Sequence, residues 1–270
     1  MIDMLNELHI TRASAIINPI SHSMLCVLAE DGHKYHIKSY KSEHDEQLCI
    51  ASFLLTQSLL SNWKLNNAFV AGIHLHPELL KHFRPNFNER NIYTGIRSEN
   101  GNIWMSQLLD DGHYWSYKAF KDPDHFLKIG LFDLWTLNQA RTLNNPNLVL
   151  SPMRDGKMKI IPINHRELLQ GLNSVNWNRT FSLSHISSIF DFNLVKKTFY
   201  HLRNHRTKQD WNQYFQRSID NTRDQFTDIV KHINITTKVE KTIWNQLYIF
   251  LFDNDRNERV FSHFWNLVKR

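Results

Sequence analysis

Sixteen histidines, an excess of base over acid and one compact polar block are the features of this sequence that could do chemistry. The histidines are scattered. His201 and His205 stand one helical turn apart and could share a metal ion, but no glutamate accompanies them in the His-Glu-x-x-His manner, so the pair predicts no metal site. The net charge of +6 and pI near 9.2 suit a nucleic-acid or nucleotide partner. The richest basic stretch holds Lys196, Lys197, His201, Arg203, His205, Arg206 and Lys208. It follows a helical pattern and the turn after it, with no recognition motif, and reads as a solvated face. The polar block is more specific. Asn138, Arg141, Asn145 and Asn147 lie in one short stretch, a later apolar strand ends in Asn164 and His165, and Lys38 closes an early strand.

The elements that must position these residues follow from the apolar pattern. Residues 9–17 and 24–29 are β-rich, Asp31-Gly32 is a hairpin signal, and residues 33–38 alternate as a strand does. Residues 48–60 carry apolar side chains at helical spacing, and 68–73 return to strand. This order predicts a strand-rich, antiparallel first part. Residues 74–115 are mixed. Pro77 can open a short helix, residues 84–88 read as loop, and residues 98–102, with Asn100-Gly101, turn between two strands, the second over 103–108. Asp122-Pro123-Asp124 starts a helix, since Pro is tolerated in a first turn and acids favour the positive end of the helix dipole. Phe126, Ile129, Phe132, Leu134 and Trp135 make that helix apolar. Strands over 147–150 and 158–163 follow, joined through Asp155-Gly156. Residues 193–270 predict three or four amphipathic helices, whose aromatic side chains read as core packing rather than a stacking platform.

A chain of 270 residues fits one large domain or two lobes sharing a core, and 41% apolar residues are enough to fill one. No apolar run reaches the eighteen or so residues of a membrane span. The first seven residues, Met1 to Glu7, lack a basic patch leading into an apolar stretch, so no signal peptide is expected. Cys26 and Cys49 sit in apolar contexts and predict buried thiols, with neither a disulfide framework nor a metal pattern. The expected compartment is the cytoplasm, without membrane association.

The polar block, with its spacing, resembles the catalytic loop and metal-binding segment of HipA-like kinases. In that family an apolar helix ends in Asn-x-Asp-Arg, an Asn follows five residues after the Asp within Asn-Pro-Asn-Leu, and a later strand ends in Ile-Asp-His-Gly. Here the matching segments are Asn138-Gln139-Ala140-Arg141, Asn145-Pro146-Asn147-Leu148 and Ile163-Asn164-His165-Arg166, and Tyr35-His36-Ile37-Lys38 is similar to the family's lysine strand. The resemblance spans about residues 8–170. It implies an α+β, bilobal, protein-kinase-like fold of the HipA type, with a β-rich N-terminal lobe over about 8–115, the catalytic-loop region over about 122–170, and residues 173–270 as the helical C-terminal part of the same domain. It further implies that Lys38 neutralises ATP phosphates and that Asn145 and the residue at position 164 hold magnesium.

The departures matter as much as the matches. The position of the catalytic Asp, which orients the hydroxyl nucleophile and takes its proton, is Ala140, although Arg141 beside it is kept. The position of the metal-binding Asp is Asn164, whose carbonyl oxygen coordinates a cation only weakly. The helix glutamate that should hold the lysine aligns with Ser52, with Glu46 as a substitute. No catalytic residue is therefore intact. The expectation is a pseudokinase of the HipA-like serine/threonine kinase type, binding ATP and magnesium weakly or not at all and acting through a protein partner. By analogy with the family's toxin–antitoxin kinases, that partner would come from translation or be a small DNA-binding antitoxin. An atypical active kinase is the alternative, with Asp133 or Asp155 moved into the missing role. A basic nucleic-acid-binding protein is the third reading.

Overall fold

A computed structural model of the chain describes residues 10–21, 24–38, 43–80, 92–98, 103–104, 117–142, 146–163, 168–169, 189–191 and 206–269. The first strand, β1 (Ile10–Ser21), runs past the stretch its sequence predicts and is bulged along its pairing with β2 (Met24–Ala29). The turn at Asp31-Gly32 is the expected one. Gly32 takes a φ of +80°, and Asp31 Oδ1 accepts the His33 N–H at 2.9 Å, so the turn delivers β3 (Lys34–Lys38) antiparallel to β2. Helix α1 (Glu43–Asn62) follows, then β4 (Val70–Leu75), the single turn α2 (Pro77–Leu80) and β5 (Ile92–Ser98).

These five strands close into a barrel in the order β1-β2-β3-β5-β4. Closure corrects the antiparallel expectation at one seam, because β1 and β4 pair in parallel, Ile10 with Gly72 through Ala13 with Leu75. Alternation along each strand sends Ala13, Leu25, Val27, Tyr35, Ile37, Ala71, Ile73 and Tyr93 inward. Gly95 is needed where β5 passes this core, since a β-carbon there would lie 2.6 Å from Ile73 Cγ1.

The strand β6 (Ile103–Trp104) belongs to a second sheet and does not pair with β5. That sheet has the order β6-β7-β8, with β7 (Leu148–Pro152) and β8 (Met158–Pro162) joined by a turn at Asp155-Gly156, where Gly156 has a φ of +77°. Between β6 and β7 lies α3 (Asp124–Thr136), buried on almost every side. The chain then builds α4 (Lys208–Thr236), α5 (Lys241–Phe252) and α6 (Asn254–Lys269). Thr207 caps α4 through a capping box with Asp210. One apolar core joins α1, α3, the second sheet and α4 to α6. Trp63 sits inside it against Phe132, Trp135, Tyr214 and Phe215, with ring centroids 4.9–6.0 Å away. The C-terminal aromatics Trp211, Phe226, Trp244, Phe250 and Phe261 are buried there too, which places them in packing as the pattern predicts. No described helix is long and apolar enough to cross a membrane.

Candidate functional site

The described part of the polar block lies where α3 ends. Apolar α3 carries one acid, Asp133, in its last two turns, and that side chain is fully buried. A buried carboxylate must find partners, and Asp133 finds them just downstream. The helix stops because Leu137 enters the left-handed region at φ +56°, and Asn138 then donates its backbone N–H to Asp133 O at 2.9 Å. The Asn138 side-chain amide donates to Asp133 Oδ1 at 2.9 Å, and Arg141 Nε donates to Oδ2 at 2.6 Å, with Nη2 3.3 Å from Oδ1. Arg141, equally buried, spends its remaining nitrogen Nη1 on the carbonyls of Pro146 (2.8 Å) and Asn147 (2.5 Å).

The loop is then closed on itself. Asn147 holds a φ of +48°, a conformation that asparagine tolerates better than most residues, and its amide donates to the Ala140 carbonyl. Asn138 Oδ1 accepts the Ala140 N–H at 3.2 Å. Both polar groups of the Ala140 backbone are thereby fixed, and its methyl group is only partly buried. From the far side, Arg256 on α6 donates to the Trp135 carbonyl, and Trp135 Nε1 donates to Leu251 O at 3.0 Å. The end of α3 is thus anchored to α5 and α6 as well.

Of the residues singled out in the sequence, the structure brings Asn138, Ala140, Arg141 and Asn147 together in this one network. Asn145 and Asn164 lie outside the described residues. Lys38 is the last residue of β3, paired with Met24. His201 and His205 also lie outside the described residues, and no group of three or more His, Cys, Asp or Glu among the described ones could hold a metal ion. Arg206, from the basic run, pairs with Asp124 at 2.5 Å and stacks over Trp211.

Neither candidate substitute acid is placed to act as a base. Both oxygens of Asp133 are taken up by Arg141 and Asn138. Asp155 sits in the β7–β8 turn, exposed, accepting the Lys157 N–H at 3.0 Å. With β7 five residues long, that turn lies on the order of 15 Å from the Asn147 end of the loop.

Ser52 has a different use from the one its position suggests. It is fully buried on α1, and its hydroxyl oxygen accepts the Leu169 N–H at 3.0 Å, tying the helix to the segment beyond β8. Ser52→Ala leaves that buried N–H without its acceptor and is expected to lower stability by about 1–3 kcal/mol in urea unfolding. A cost near zero would mean that water takes over the bond. Two more bonds tie the same region across the molecule: Asn66 Nδ2 donates to Ile160 O at 2.8 Å, and the Tyr214 hydroxyl donates to Trp63 O at 2.7 Å.

His36, two residues before Lys38, faces away from the barrel core toward β8. Burial pushes its pKa below the usual value, because desolvation penalises the charged ring. The unfolded chain then binds more protons than the folded one, so this group costs stability as pH falls through about 6.5. His36→Gln is expected to flatten that part of the stability profile. An unchanged slope between pH 7 and 5 would show that other histidines carry it.

With this geometry in view, comparison with known proteins adds one finding. Over 98% of its length the chain is similar to the crystal structure of the proinflammatory kinase CtkA from Helicobacter pylori, 97% of which is covered, with a TM-score of 0.51 and 11% identity. The fold is kinase-like. No protein-family model matches the chain, and no curated protein matches it. At such low identity the likeness speaks for the arrangement of elements alone. In those terms the Asp133–Arg141 network lies in the loop after an apolar helix and leads into the β7–β8 hairpin.

Proposed function

We propose that this chain is a pseudokinase of the HipA-like type, two lobes joined around a cleft, that works by binding rather than by phosphoryl transfer. The observation that carries this reading is the contrast within one loop. Asp133, Asn138, Arg141 and Asn147 hold the loop in shape with buried, mutually satisfied bonds, while position 140, where a proton acceptor should stand, presents a methyl group. A scaffold maintained around a missing base is what a retained shape without retained chemistry looks like. Asn164 in place of the second acid points the same way, since an amide offers a cation one neutral oxygen.

In this reading Lys38 faces the phosphates of a weakly held ATP, and Asn145 and Asn164 supply what little affinity for magnesium remains. The domain runs through the C-terminal helices, whose outer surface meets a protein partner. That partner is drawn, by analogy with HipA-like kinases, from translation or from a small DNA-binding antitoxin in the cytoplasm. The test is a phosphotransfer assay on the purified chain with ATP and magnesium, run beside Ala140→Asp with Asn164→Asp. The wild type is expected to stay at background. Turnover by the wild type that is abolished in Lys38→Ala would replace this reading with that of an atypical active kinase.

A further inference from the structure

The β7–β8 hairpin ends in a fixed turn that carries more base than acid. Met153 donates its N–H to Lys157 O at 2.8 Å, Gly156 donates to Met153 O at 3.0 Å, and Asp155 Oδ1 accepts the Lys157 N–H at 3.0 Å. The segment before α3 lies against the same hairpin. Phe120 bridges Met158 in parallel, and Lys121 donates its backbone N–H to Met158 O at 3.1 Å. Lys121 therefore stands one strand spacing, about 5 Å, from Met158, the residue after Lys157.

Lys121, Arg154 and Lys157 are all exposed, and none of the three has a carboxylate partner among the described residues. The two acids nearby are already committed. Asp155 shapes the turn and offsets one of the three charges at most, and Asp122 is held by His125 Nδ1 at 2.7 Å and Lys128 Nζ at 3.3 Å. The backbone that presents the cations is ordered before anything binds, so an anion meets them without the cost of ordering a loop. What this corner lacks decides its partner. The exposed large apolar side chains, Ile17, Phe69, Ile235, Tyr248 and Ile249, all lie outside the hairpin and outside residues 117–122. A membrane surface takes apolar side chains inserted beside the cations, and a protein interface is carried by aromatic or aliphatic anchors. A phosphate backbone needs neither, because its affinity comes from released counterions.

We propose that this corner binds the phosphate backbone of a single-stranded nucleic acid, without reading its sequence, through Lys121, Arg154 and Lys157. Grouped around one turn, the three cations meet roughly three successive phosphates of one flexible strand. The chain's net charge of +6 favours encounter with any polyanion, and the hairpin sets where it is held. This inference goes beyond the pseudokinase reading and does not depend on it, since it needs neither Lys38 nor the loop around Ala140.

The experiment is fluorescence anisotropy of a labelled oligouridylate RNA titrated with the full chain, without magnesium or ATP, over a series of salt concentrations. A log–log salt slope near −2 is expected, at about 0.7 per phosphate, and so roughly 15-fold weaker binding between about 50 and 200 mM salt. Lys121→Gln, Arg154→Gln and Lys157→Gln combined should weaken binding at least tenfold and flatten the slope. Lys231→Gln, Lys238→Gln and Lys241→Gln combined remove the same charge from an exposed surface elsewhere and should leave both near the wild-type values. All six positions are exposed, so both variants are expected to fold, which their urea midpoints check. No binding by the wild type, or equal weakening in the two variants, overturns the proposal, because the second result would reduce the effect to net charge. Binding to vesicles of equimolar phosphatidylserine and phosphatidylcholine, with none to the RNA, overturns it too and assigns the corner to a membrane surface.

Discussion

Replacing Asp133 by Ala is expected to destabilise the protein by about 3–5 kcal/mol, among the largest single-residue effects available to it. The reason is what remains behind. Arg141 is fully buried, and its Nε and Nη2 point at the two carboxylate oxygens. Without Asp133 that guanidinium stays in the core and loses the carboxylate that two of its nitrogens are aimed at. Arg141→Ala should cost a similar amount, since it strands the carboxylate and also releases the carbonyls of Pro146 and Asn147. The double variant should cost far less than the two singles added together, because removing both charges removes the unpaired one. Urea unfolding of all three variants measures this. Strict additivity would show that the two groups do not stabilise each other and that the loop is held by its hydrogen bonds to the backbone alone. A second consequence follows from the shared geometry: Ala140 hangs from the Asn138 and Asn147 side chains, so loss of the ion pair should loosen position 140 as well.

That ion pair was legible in the sequence, and the reading of Asp133 as a substitute acid passed over it. An aspartate flanked by Phe132 and Leu134 in an apolar helix must be buried, and a buried acid demands a cation. Arg141 is the nearest one downstream. By contrast, nothing local could reveal that β1 and β4 pair in parallel, since alternation identifies strands but not their neighbours. The extent of α1 was similarly hidden. Its first turn from Glu43 is polar and carries no core signal, so periodicity starts only at Leu48. Ser52 could be recognised as a departure from a family pattern. Its actual bond reaches Leu169, 117 residues away, a distance at which no spacing rule operates. The β6 strand, two residues long, is too short to show alternation and owes its existence to pairing with Val149 and Leu150. The turns at Gly32 and Gly156 were secure because their positive φ is a local demand that their residue types announce.

Restoring the two acids, Ala140→Asp with Asn164→Asp, is expected to raise phosphotransfer from background by at least about 100-fold, the lower end of what a positioned general base contributes. The loop is built to accept the first change. Its backbone at position 140 is fixed at both N–H and C=O, and the side chain is only partly buried, so an introduced carboxylate need not be desolvated to fit. Arg141 is already engaged by Asp133, which leaves the new charge free to meet a substrate hydroxyl. Either single restoration should stay near background, since a base without a well-held metal, or a metal without a base, lacks half of the chemistry. Lys38→Ala in the restored background should remove the gain. A restored protein that binds ATP yet transfers nothing would move the defect to α1, where Ser52 is committed to Leu169 and cannot hold a lysine. In that case the loss of activity is written into the packing of the helix as well as into the two missing carboxylates.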